Sequence, residues 1–207
     1  HTAGRNPPLV EPGDGAGTVM IVLDGWAASC RAVKDSRPQI VALHVPGDFC
    51  DISIAFKRHM ACAVVALTDL RVAAISRSAL LNLAADHPEI SQMLWWEAMW
   101  SSATGGQWTA RMARSSARAR ITHLLCELAV RLYVLGLADD TGFDVPMTQV
   151  DLANSCGLTS EHTYRIMSDL RRSNVASWEK GRVRLLDWDA LREMAEFDPA
   201  YLQFRQL

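Results

Sequence analysis

The sequence predicts an α+β chain in two parts, an N-terminal antiparallel β-roll and a C-terminal winged helix-turn-helix, joined by one long helix. Three observations predict it. Short β-favouring runs divided by turn residues fill residues 18 to 75, the apolar period then becomes helical, and Met147 to Leu186 reads as helix, glycine turn, helix and hairpin.

The length and composition fit this division. A chain of 207 residues, 49% hydrophobic and 21% charged, has room for one domain of ~120 residues and one of ~80. The longest apolar stretches, such as Thr18 to Leu23, fall far short of the ~20 residues that span a bilayer, so no membrane partner is expected. His1 to Gly17 is rich in Gly and Pro without periodic apolar residues, shows no signal-peptide pattern, and reads as a weakly ordered lead-in. Cys30, Cys50, Cys62, Cys126 and Cys156 have neither zinc-site spacing nor the density of a disulfide scaffold, which suits reduced thiols in a cytoplasm.

The net charge of −2 splits into −2 over residues 1 to 107 and 0 over the rest. Bulk charge therefore does not announce a nucleic-acid partner, and any such reading rests on local arrangement. Two local basic groups stand out: Arg111, Arg114, Arg118 and Arg120, and then Arg165, Arg171, Arg172, Lys180, Arg182 and Arg184.

The roll, residues 18 to 88, is built from runs at Thr18 to Leu23, Trp26 to Val33, Gln39 to His44, Met60 to Leu67 and Leu70 to Ile75. Asp24-Gly25 is its strongest hairpin signal. A short helical segment, Ser76 to Ala85, leads to a long helix over residues 89 to 114, with Pro88 where a helix start tolerates it. Ile90, Leu94, Trp100 and Trp108 give this helix more apolar surface than a solvent-exposed connector needs, so it is the candidate dimerisation seam. Gly105-Gly106 weakens it locally and marks a place for a kink or break.

Residues 115 to 207 form the third part. Ile121, Leu124, Leu125, Leu128, Leu132 and Leu135 recur at helical spacing, and Gly136 follows as a stop. Asp139 to Gly142 reads as a loop and Phe143 to Val145 as a short strand. Val150, Leu152, Ala153 and Cys156 then give a short helix, Gly157 a tight turn, and Thr159 the cap of a second helix. In that second helix Thr163, Ile166, Met167 and Leu170 face inward, which turns Ser160, Glu161, Tyr164 and Arg165 outward.

That outward face suits double-stranded DNA. Arg165 can donate two hydrogen bonds to guanine O6 and N7, and Glu161 can accept from cytosine N4. Thr148, Gln149 and Thr159 lie at helix starts, where side chains and amides hold phosphates. A simpler account makes Glu161 and Arg165, four residues apart, a surface ion pair. The hairpin that follows, with Arg182 at the basic tip of its Glu179 to Arg182 turn, favours the DNA reading.

Gly157-Leu158-Thr159-Ser160-Glu161-His162-Thr163-Tyr164-Arg165 resembles the recognition stretch of the Crp/Fnr family, in its Fnr and FixK branch. The resemblance implies a bacterial transcription regulator working as a homodimer on a TTGAN-type palindrome, with Glu161 and Arg165 as base readers and RNA polymerase as a partner. Tyr164 stands where that branch often has Ser, and Ser160 where the cAMP-binding branch has an extra Arg.

Val45-Pro46-Gly47-Asp48-Phe49 is similar to the family's turn between roll strands, which implies a fold like the cyclic-nucleotide-binding domain. Cys50-Asp51-Ile52 replaces the expected Gly-Glu-Leu, and His59-Met60-Ala61 the expected Arg-Ser/Thr-Ala. Without that Arg a cyclic phosphate loses its charge-assisted anchor, so cAMP is not the expected ligand. Asp51, Arg58 and His59 are the residues left there to meet an effector of unknown chemistry.

No cofactor is required by this reading. The alternative is a haem or redox sensor of the same fold using His44, Cys50, His59 and Cys62. No cysteine precedes Cys30, so the N-terminal cluster that holds an iron-sulfur centre in the Fnr branch is missing. Hydrolase, zinc-protease, phosphate-loop and dinucleotide motifs are absent, and no enzyme activity is expected.

Overall fold

The computed structural model describes residues 2–3, 8–13, 17–32, 38–56 and 62–202. The chain divides into two compact units, His1–Gly105 and Gly106–Leu207. The sequence reading set the helix of residues 89 to 114 apart as a segment between the roll, 18 to 88, and the DNA-binding part, 115 to 207. The two units meet within that helix, between Gly105 and Gly106.

The first unit contains β1 (Thr2–Ala3), β2 (Pro8–Val10), β3 (Thr18–Asp24), β4 (Ala27–Arg31), β5 (Gln39–His44), β6 (Ala63–Ala66) and β7 (Leu70–Ser76). They form two antiparallel sheets, ordered β1-β7-β3 and β2-β6-β4-β5. Val19, Val22 and Val72 of one sheet and Ala27, Val64 and Ala66 of the other join one buried cluster with Ile52, Ile54, Leu80 and Leu94. Fully burying each larger side chain among them stabilises by roughly 1.5–3 kcal/mol. The antiparallel roll is as expected.

Two local expectations are corrected. Residues 1 to 17 are not simply a lead-in, because β1 pairs with β7 and β2 with β6. An added strand is held by main-chain hydrogen bonds and needs no apolar periodicity, and Leu9 and Val10 pack against the core besides. Asp24-Gly25 is no hairpin turn either, since β3 pairs with β7 while β4 pairs with β5 and β6. It is a corner between sheets. Gly25 has φ +80°, and a Cβ there would lie 2.1 Å from the Asp69 carbonyl oxygen, so turn-type chemistry was present for a different reason.

Helix α1 (Arg77–Asp86) is capped by Ser76, whose hydroxyl accepts from the Ala79 amide. Helix α2 (Pro88–Arg114) runs 27 residues through Gly105-Gly106, so the helix does not break there.

The second unit is arranged around α3 (Ala117–Val134), followed by β8 (Ala138–Asp139), β9 (Gly142–Asp144), α4 (Gln149–Cys156), α5 (Ser160–Arg172), β10 (Ala176–Glu179), β11 (Arg182–Leu185) and α6 (Trp188–Ala195). Its sheet is antiparallel, ordered β10-β11-β9-β8. Asp139 to Gly142, expected as a loop, is the centre of the β8-β9 hairpin. Helix α3 departs from one-sided amphipathicity, for residues 121 to 129 are buried without interruption. Thr122, His123 and Glu127 are enclosed with the leucines. Leu135, expected in the apolar row, lies past the helix end and is 43% exposed.

Candidate nucleic-acid interface

Helix α4 begins in a reciprocal capping box. The Thr148 hydroxyl accepts from the Asp151 amide at 3.2 Å, and the Asp151 carboxylate accepts from the Thr148 amide at 2.7 Å, an arrangement worth ~1 kcal/mol. Thr148, expected at a phosphate, spends its hydroxyl on this cap; Gln149 follows as the first helical residue, half-buried. Gly157 ends the helix at φ +60°, where a Cβ would meet the Met112 methyl at 2.4 Å. Both the left-handed turn and the close approach select glycine. Val150 is 38% exposed, so only Leu152, Ala153 and Cys156 of the predicted apolar set are buried.

Helix α5 starts at Thr159, whose hydroxyl accepts from the His162 amide at 3.2 Å. Thr163, Ile166, Met167 and Leu170 are buried, while Glu161, Tyr164 and Arg165 are exposed and Ser160 is half-buried. Tyr164 is 63% exposed. Among the described residues, neither Glu161 nor Arg165 forms an ion pair or side-chain hydrogen bond, with each other or with a third group. The simple ion-pair account of these two residues therefore fails. Both polar groups remain available to a ligand.

Several neighbouring arginines are committed within the protein. Asp169 takes Arg118 from α3 at 3.4 Å and also pairs with Arg172. Arg171 pairs with Glu179 at 2.8 Å. Arg120 donates to the Cys156 carbonyl at 2.8 Å, where the α4 C-terminus favours a cation. Arg182, expected at the wing tip facing the DNA backbone, is clipped to Asp139 at 2.9 Å and Asp144 at 3.1 Å. The two carboxylates belong to strands β8 and β9, and the bonds that Asp139 accepts from Thr141 hold its own carboxyl down at about 2. The tip itself is Lys180-Gly181, with Lys180 exposed at φ 51°.

Sequence reasoning missed the buried polar centre behind this surface. Glu127 is fully buried and accepts from Trp108 Nε1 at 2.9 Å, Tyr201 Oη at 2.8 Å and Arg131 at 3.3 Å. Tyr201 Oη, which donates to Glu127, also lies 3.1 Å from His123 Nε2. Burial, aided by the Arg111 charge, lowers the His123 pKa to about 4. Arg111 donates to the Ala195 and Glu196 carbonyls at 2.6 Å each, at the end of α6. The signal in the sequence was Glu127 and Arg131, four residues apart inside a leucine row.

Of the expected dimer residues, two are buried within the single chain and two, Ile90 and Trp108, are half-buried. Leu94 is 3% exposed within the first unit's core, Ile90 packs against that core, Trp100 is buried, and Trp108 serves Glu127. The exposed apolar residues of α2 are instead Met93, Trp95, Trp96, Met99 and Met112.

In the first unit Asp51 caps the 3-10 turn Ile52–Ala55 by accepting from the Ser53 amide at 2.9 Å. Arg58 and His59 lie outside the described residues. His44 Nε2 is 2.8 Å from Ser29 Oγ, and burial pushes the Cys50 thiol up to about 12. Among the described residues no three His, Cys, Asp or Glu side chains are grouped to hold a metal ion, and no helix is long and apolar enough to cross a membrane.

A capped helix, a left-handed glycine turn, an amphipathic second helix with an exposed polar face and a β-hairpin wing define a winged helix-turn-helix DNA-binding protein. The Crp-like helix-turn-helix domain model matches residues 119–194, and the cyclic nucleotide-binding domain model matches residues 3–87. The transcriptional activator protein FnrL of Cereibacter sphaeroides is 30% identical over 202 residues, covering 96% of this chain and 80% of FnrL. The nitrogen fixation regulation protein FixK of Azorhizobium caulinodans is 26% identical over 191 residues, 92% of this chain and 76% of FixK. The solved structure of FixK2 from Bradyrhizobium japonicum superimposes with a TM-score of 0.84 at 22% identity, covering 94% of this chain and 95% of that one. The chain belongs to the Crp/Fnr family of DNA-binding transcription regulators. That family consists of regulators rather than enzymes.

Proposed function

We propose that this regulator works as a homodimer on an inverted-repeat operator, with α5 of each copy reading one half-site and a signal at the N-terminal unit setting its activity. The observation that carries the reading is the pair Glu161 and Arg165, exposed on α5 and unspent among the described residues while Arg171, Arg172 and Arg182 are committed. Base-edge contacts need such unspent groups. Phosphate contacts of the wing fall to Lys180 rather than Arg182.

The dimer reading is supported by α2. Trp95 and Met99 are 69% and 59% exposed, four residues apart on one helical stripe with Trp96 beside them. Such apolar surface is stabilised when a second helix covers it. The partners in this reading are double-stranded DNA, a second copy of the chain and RNA polymerase, and the operator is of the TTGAN type.

Selection of bound sequences from a random DNA pool tests it. The expected product is an inverted repeat with half-sites about one helical turn apart. Arg165→Ala should cost about 1–3 kcal/mol on the selected site and little on random DNA. Lys180→Ala should weaken both alike. Equal losses on selected and random DNA for Arg165→Ala, or a selected site without symmetry, would refute the proposal.

A further inference from the structure

The DNA-binding unit carries an open cleft of about 340 Å³ on which none of the functions above depends. Its walls come from the last turns of α3 (Val130, Tyr133 and Val134), from Leu185 at the end of wing strand β11 and from Trp188 at the start of α6. The volume lies in the range of small-molecule pockets, about 300–1,000 Å³, and the lining has their character: apolar and aromatic with a few polar groups. Tyr133 and Val134 are 59% and 47% exposed, and Leu135 and Leu186, adjacent in sequence to lining residues, are each 43% exposed.

The charged residues that line the cleft are both carboxylates, one of them neutralised by Arg182. Asp139 and Asp140 lie at its edge. Asp139 is committed to Arg182 and Thr141, whereas Asp140 is exposed and unpaired among the described residues. The α3 C-terminus brings the negative end of an 18-residue helix to the same place. The basic residue of that last turn, Arg131, does not cancel it, being turned inward to Glu127. Two aromatic faces beside a free carboxylate and a helix C-terminus match a positive charge on an apolar body.

We propose that this cleft is a binding site for a small organic cation, an amine whose hydrocarbon or aromatic portion is covered by Tyr133, Val134 and Trp188 and whose ammonium group meets Asp140. A ligand there touches β11, which the wing shares with the DNA-binding surface. The site therefore gives the DNA-binding unit an input of its own, separate from the N-terminal unit.

Titration of the full chain with three probes of one shape, 4-phenylbutylamine, 4-phenylbutanol and 4-phenylbutyrate, tests the proposal. The readout is the NMR shift of the Trp188 indole and of the Leu185 and Val130 methyl groups. The expected result is saturable shifts with the amine binding most tightly and the carboxylate least. Asp140→Asn should weaken the amine about threefold to fivefold, the size of one exposed charge contact, and leave the alcohol unchanged. Val134→Trp, which fills the cleft from its exposed edge, should remove binding of all three.

No saturable shift with any probe overturns the site. Equal binding of amine and carboxylate overturns the cationic class, and amine binding unchanged in both variants places the amine elsewhere. Saturation by a lysine-bearing apolar peptide, with none of the small probes bound, assigns the cleft to a protein partner and also overturns the proposal.

Discussion

The two units are stabilised by different means. The N-terminal unit closes two sheets over a cluster of aliphatic side chains centred on Val19, Ile54, Val64 and Leu70. The C-terminal unit buries a carboxylate, Glu127, and surrounds it with Trp108, Tyr201 and Arg131. An apolar cluster holds sheets together without directional demands and tolerates repacking. A buried, hydrogen-bonded charge demands particular donors in particular places, which fixes the helices that support α4 and α5.

The largest expected effect tests the polar centre. Glu127→Ala leaves Arg131 buried without its acid and should destabilise the C-terminal unit by about 3–5 kcal/mol. Hydrogen exchange of the α3 amides measures it. A loss under about 1 kcal/mol would mean the network is not what fixes this unit, and the double change Glu127→Leu with Arg131→Met should recover much of the loss.

In the apolar unit, Ile54→Ala should cost about 2–5 kcal/mol through lost burial and a cavity. That loss should appear in the exchange of β3 and β7 amides. It should not vary with pH, which separates the two units sharply.

Acid should act on the C-terminal unit through His123. Its pKa is lowered from the ordinary 6.5 to about 4, chiefly by burial, so the unfolded chain takes up the proton first. This stability is intact above pH 6.5 and is lost as pH falls toward 4, about 3 kcal/mol in all for a shift from 6.5 to about 4. Urea midpoints of the C-terminal unit measured across this range should fall in the native chain and flatten in His123→Gln.

The smallest effect concerns the wing. Arg182→Ala should loosen the link between β11, Asp139 and Asp144 slightly. It should leave the salt dependence of DNA binding unchanged, whereas Lys180→Ala should lower that slope by about one. A lowered slope in Arg182→Ala would restore Arg182 to the DNA surface.

Much of this was legible without coordinates, and the reasons are local. The pattern Thr163, Ile166, Met167 and Leu170 sets which side of α5 is buried, and so which side carries Glu161 and Arg165. Turn chemistry made Gly157 a helix stop and placed the wing. The roll followed from alternating short runs.

What stayed hidden depended on competition between distant groups. The pairing of Arg182 with Asp139 and Asp144 and the burial of Leu94 and Trp100 involve residues far apart along the chain. The leucine row gave α3 one apolar face, but residues 121 to 129 are all buried, Glu127 among them. Asp24-Gly25 carried a turn signal that only the pairing of β3 and β4 with different strands could interpret. Sequence alone determined the order of elements, the helix-turn-helix and which side of α5 is exposed, because these depend on neighbours within a few residues. The tertiary structure decided which charges are spent and which apolar surfaces are covered, because each depends on side chains brought together from far along the chain.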